Sequence, residues 1–104
     1  MPHVTVRGIQ ESELTAMAKE LKKVVFETAE VKEEYVKIFY SPIRRVDEPE
    51  EVMVDVYWMH RPQELCDKVA AAITAFMKER GKGFVQVTFT EFPGNLFYED
   101  NVHF

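Results

Sequence analysis

The sequence predicts an α+β fold in which two tandem βαβ units contribute four strands to one mixed sheet, with both helices on one face. Three observations carry this expectation. A strand-helix-strand order occurs twice, short stretches of the two halves match, and sorting the strand residues by face gives one continuous aliphatic surface. A chain of 104 residues with 46% hydrophobic residues has room for one core and no second domain.

The first strand runs through His3-Val4-Thr5-Val6-Arg7, where apolar and polar residues alternate with a period of two, and Gly8 ends it. Beyond it Leu14, Met17, Ala18, Leu21, Val24 and Val25 recur at helical spacing, while Lys19, Glu20, Lys22 and Lys23 fill the solvated side of a helix of four or five turns. Tyr35 to Tyr40 reads as the second strand, stopped by Ser41-Pro42 because proline cannot donate to a ladder. The polar segment Ile43 to Glu51 divides two halves, about 1–43 and 52–92, of a single domain 1–104. After it the order repeats as a strand from Val52 to Trp58, a helix from Pro62 to about Arg80, the stop Gly81-Lys82-Gly83 and a strand from Phe84 to Thr90. Val4-Thr5-Val6 matches Val54-Asp55-Val56, Glu13-Leu14 matches Glu64-Leu65, and Tyr35-Val36-Lys37-Ile38 matches Phe84-Val85-Gln86-Val87. Two copies at this spacing make paired units in one sheet, not a solenoid.

One strand face carries Val4, Val6, Val36, Ile38, Val54, Val56, Val85, Val87 and Phe89, enough aliphatic surface for two helices to cover. The other mixes His3, Thr5, Arg7, Lys37, Asp55, Gln86 and Thr88 with Phe39, Met53, Tyr57 and Met59, which suits a partly polar oligomer interior. The tail 93–104 holds Leu96, Phe97, Tyr98, Val102 and Phe104 without a helix pattern, and is expected to dock on a neighbouring subunit.

A formal net charge of -5 repels a phosphate backbone and an anionic lipid surface, so neither nucleic acid nor membrane is an expected partner. The segment Lys82 to Phe89 looks superficially like an RNA-binding strand, but lacks the small residue and second aromatic of that motif. A single cysteine, no apolar run of membrane-spanning length and no basic region leading into an apolar signal core together predict a soluble, cytoplasmic protein. His3, His60 and His103 lie on separate elements without ligand spacing, so no metal and no cofactor is expected. Cys66 follows the core position Leu65 and reads as a packing residue, as do Met17, Met53, Met59 and Met77, while Trp58 at a strand end suits the core, a subunit contact or a pocket wall.

Met1-Pro2-His3 followed by a short alternating strand, two tandem βαβ units and Asn101-Val102-His103 near the end resemble the tautomerase superfamily, which includes the macrophage migration inhibitory factor and 5-carboxymethyl-2-hydroxymuconate isomerase, and most resemble an uncharacterised bacterial branch of it. The resemblance implies a homotrimer whose sheets surround a central channel, and an N-terminal proline, Pro2 once Met1 is removed, that carries a proton alpha to a carbonyl in a small keto, enol or unsaturated carboxylate substrate. Such a base must be neutral near pH 7, which burial and a nearby cation promote by disfavouring the ammonium form. With Met1 retained, the Pro2 nitrogen is an amide and not a base; a strand-starting proline also simply fixes the chain's entry angle.

The candidate substrate-binding cations are Lys37, near the position where the muconate isomerase has arginine, and Arg44 and Arg45, which follow the second strand and in a trimer could reach an anionic substrate. Lysine binds a carboxylate as a point charge, without the two-pronged geometry of arginine, and adjacent arginines beside an acidic loop also suit surface ion pairs. Arg7 and Arg61 are weaker candidates. Two rival readings stand beside the isomerase: a ferredoxin-like binding or regulatory module, because this element order serves many non-enzymes, and an inactive trimer of tautomerase shape.

Overall fold

A computed structural model of the chain describes residues 1–103. β1 (His3–Arg7) leads into α1 (Glu11–Ala29), a 3-10 turn (Glu33–Tyr35) and β2 (Lys37–Tyr40). The second unit is β3 (Val52–Met59), α2 (Gln63–Glu79) and β4 (Val85–Phe92). A 3-10 turn (Gly94–Leu96) and the hairpin β5 (Tyr98–Glu99) and β6 (Val102–His103) follow.

The strands order as β2-β1-β3-β4, with parallel outer pairs and an antiparallel central pair. In the central pair Thr5 lies opposite Asp55, with Val4 opposite Val56 and Val6 opposite Val54, so the matched segments of the two halves meet head to tail. The internal repeat is therefore a pseudo-twofold axis through the middle of the sheet.

Alternation decides the layers. Val4, Val6, Val36, Val54 and Val56 are buried on the side covered by Leu14, Met17, Leu21 and Val25 of α1 and by Val69, Ile73, Phe76 and Met77 of α2. Each fully buried aliphatic side chain contributes about 1.5–3 kcal/mol relative to exposure, and this layer supplies the main driving force for the fold. Trp58 joins it at 0% exposure, stacked 5.3 Å from Phe89. On the uncovered side Asp55 Oδ1 accepts hydrogen bonds from Thr88 Oγ1 (2.9 Å) and Thr90 Oγ1 (3.0 Å).

Most boundaries agree with the sequence expectation to within one residue, and three differences are larger. β2 starts at Lys37, not Tyr35, because the amides of Tyr35 and Val36 bond back to Lys32 O and Glu33 O in a 3-10 turn. β4 runs on to Phe92, since β3 continues to Met59 and pairs with it in parallel register. The tail holds a 3-10 turn and a hairpin, whose two-residue turn places Asp100 and Asn101 at φ 51° and 63°. That conformation favours Asn and Asp and matches the twist of paired strands. Phe97 docks on the chain's own sheet, 5.5 Å from Phe92, while Leu96, Tyr98 and Val102 stay exposed.

Candidate active site

Because β1 is parallel to β2 and antiparallel to β3, the start of β1, the start of β2 and the end of β3 come together at one end of the sheet. His3 pairs with Lys37 on one side and Tyr57 on the other, and Pro2 O accepts the Lys37 amide at 3.2 Å. Pro2 is fully buried and the Met1 side chain only 6% exposed. Met1 is one wall of a cleft of about 320 Å³ that Glu30, Val31, Lys32, Tyr35, Met59 and Arg61 also line.

The electrostatics of this end follow from its composition. Burial lowers the pKa of the terminal amine below its ordinary 8.0; Glu99 opposes that shift, and Lys37 and Arg61 add to it. The ammonium form is thus disfavoured by partial burial and by two cations, and favoured by one carboxylate. His3 feels the same surroundings: burial, the terminal amine and Lys37 lower its pKa, and Glu99 resists. Its ring packs 5.5 Å from Phe39, 6.3 Å from Tyr57 and 6.5 Å from Phe97.

Arg61 is fixed by its neighbours. Its Nη1 donates to Met59 O (3.2 Å) and His60 O (3.3 Å), and its guanidinium lies 5.5 Å from the Trp58 ring. Its backbone amide donates to Glu91 Oε2 at 3.1 Å, while Glu91 Oε1 pairs with His60 Nδ1, so the end of β4 braces the β3–α2 connection. The Arg61 amide and His60 hold the Glu91 carboxyl below its usual range. Lys32 lies over the Tyr35 ring on the opposite wall.

The four residues proposed from sequence fall into two groups. Pro2 and Lys37 share the N-terminal end. Arg44 and Arg45 follow β2 at the far end of the sheet, beside Gly8 and Tyr40. Arg45 is held there by Asp47 (2.6 Å) and Glu51 (3.2 Å), while Arg44 is exposed. The sequence reading passed over Lys32 and ranked Arg61 low. The signal for both was positional: each flanks a strand end that the repeat brings alongside Pro2. Cys66, in the first turn of α2, is buried near His60, Arg61 and Glu91; burial, with Glu91 and Asp67, pushes its thiol pKa up. Among the described residues no group of three metal-ligating side chains converges, and no helix is long and apolar enough to cross a membrane.

The sequence model of a bacterial domain of unknown function, DUF1904, matches residues 1–103. The chain belongs to the DUF1904 family. A solved DUF1904 domain from Sebaldella termitidis is 28% identical, covers 100% of both chains and superposes with a TM-score of 0.86. A protein of unknown function from Vibrio cholerae is 20% identical over 99% of this chain and 87% of its own, at a TM-score of 0.88. A macrophage migration inhibitory factor-like protein from Entamoeba histolytica is 17% identical over 99% of this chain and 98% of its own, at 0.81. No curated protein matches the chain. This DUF1904 chain therefore has the tautomerase-superfamily fold expected from its sequence.

Proposed function

We propose that the chain is a cofactor-independent tautomerase that moves a proton alpha to a carbonyl in a small keto, enol or unsaturated carboxylate, with Pro2 as acid and base after removal of Met1. The observation that supports the reading is that Met1 and Pro2 are buried at a sheet end where Lys37 is paired beside Pro2 and Arg61 lines the adjoining cleft, both cations acting to depress the terminal amine. The same surroundings favour a neutral secondary amine at Pro2, and cations that disfavour its protonation would stabilise the enolate formed when it takes a proton. Lys37 and Arg61 are the proposed carboxylate and enolate partners, Arg61 with the better-fixed donors. Removal of Met1 would vacate the space its side chain occupies, leaving a lodging for a substrate chain of about that size.

Arg44 and Arg45 lie at the opposite sheet end, so they would serve a site only across a subunit boundary. The proposed assembly is a homotrimer, for which the uncovered sheet face with Phe39 at 46% and Tyr57 at 39% exposure supplies the apolar contact area.

Mass spectrometry of the protein from its native host, asking whether Met1 is gone, comes first, since retention blocks the base. Ketonisation of an arylenolpyruvate, followed by ultraviolet absorbance, should then fall at least about 100-fold in Pro2→Ala. Equal rates would reject Pro2 as the catalyst. In the wild type kcat/KM should rise with pH as the Pro2 ammonium loses its proton and then level off, and a profile flat in pH would argue against an amine base.

A further inference from the structure

The only carboxylate among the described residues within ion-pairing distance of Lys37 comes from the tail: Glu99 Oε2 lies 3.7 Å from Lys37 Nζ. Glu99 ends β5, next to the tight turn at Asp100 and Asn101. The hairpin that carries it forms a two-stranded sheet of its own, so moving it breaks no pairing in the four-stranded sheet. Both partners of the ion pair are about half exposed, so an anion from solvent can reach Lys37 without first opening the core. Glu99 and a substrate carboxylate therefore want the same ammonium group, and one such group satisfies the two poorly at once.

We propose that Glu99 is a specificity-determining residue that occupies, in the free protein, the place at Lys37 of a substrate carboxylate. A small monocarboxylate displaces it, and the hairpin shifts as Glu99 leaves. The inference rests on the proposed use of Lys37 as an anion partner. It adds that the tail competes with the substrate carboxylate for the Lys37 ammonium. An exposed ion pair is a weak contact, so the competition costs about two- to five-fold in apparent affinity.

The test uses the full chain and benzoate, a monocarboxylate with no acidic carbon, so that binding is read without turnover. Calorimetry should show Glu99→Gln binding benzoate about two- to five-fold more tightly than wild type. Glu64→Gln, which makes the same charge change at an exposed position of α2, should bind as wild type does. In wild type, backbone amide resonances of residues 98–102 should move on titration with benzoate. Unchanged or weaker binding in Glu99→Gln, equal tightening in both variants, static hairpin resonances, or no benzoate binding by any form would each overturn the proposal. Loss of turnover in Pro2→Ala alongside any of those results would leave the tautomerase reading standing and remove only the competition.

Discussion

Replacing Trp58 with phenylalanine should cost little stability, unlike most large-to-small changes in a core. Trp58 is fully buried at the end of β3, between Phe89 and the guanidinium of Arg61, and its indole Nε1 has no hydrogen-bond acceptor among the described residues. Two opposing contributions set the outcome. Truncation to alanine would cost about 3–5 kcal/mol, and phenylalanine keeps most of the ring, so the packing loss is about 1–2 kcal/mol. Removing a buried donor without a partner returns its desolvation penalty, about 1–3 kcal/mol. The net change should lie between about 1 kcal/mol of loss and 2 kcal/mol of gain, against the full alanine cost for Trp58→Ala. Urea unfolding followed by far-ultraviolet circular dichroism, at one protein concentration and with slopes compared, measures both. A loss above about 2 kcal/mol in Trp58→Phe with an unchanged slope would refute the reasoning, because it would mean that the indole N–H is satisfied in solution.

Acid should weaken the fold through His3, whose pKa lies below 6.5 in the folded chain. The unfolded chain then binds more protons, so this stability is present above pH about 6.5 and is lost as pH falls toward the depressed value. His3→Phe keeps the aromatic contacts, and should flatten the fall in urea midpoint between pH 7.5 and 5. Gly8→Ala should destabilise by at least about 2 kcal/mol, since φ is +92° there and a Cβ would stand 2.0 Å from Glu51 O; a melting temperature equal to wild type would contradict this. The Cys66 thiol, buried and with a raised pKa, should react with a disulfide reagent far more slowly in native protein than in urea, and comparable rates would show an accessible thiolate.

Much of the architecture was legible because periodicity reports burial directly. The alternation in Val4-Thr5-Val6 and Val54-Asp55-Val56 assigned the sheet faces, and the Leu14, Met17 and Leu21 spacing the inner side of α1, as the burial pattern bears out. The Tyr35 boundary was not legible, because a 3-10 turn is set by amide bonds to Lys32 and Glu33 and leaves no hydrophobic period. The hairpin at Asp100-Asn101 had a signal in a pair of residues that tolerate positive φ, but strands of two residues are too short to show alternation. At the site, Pro2 and Lys37 come together through parallel pairing that the repeat implies. Arg61 was undervalued because its importance comes from the antiparallel β1–β3 register and from the Glu91 brace, both contacts between residues distant in the chain.

The central twofold relation has a price in free termini. Val52 stands in the second half where Pro2 stands in the first, and its nitrogen is already an internal amide that donates to Phe84 O at 2.9 Å. Joining two like units in one polypeptide thus leaves a single end able to expose a titratable amine, and the mirror position is chemically silent whatever side chains later gather round it. Any assembly of this chain would carry as many such amines as it has chains, and half as many as it has βαβ units.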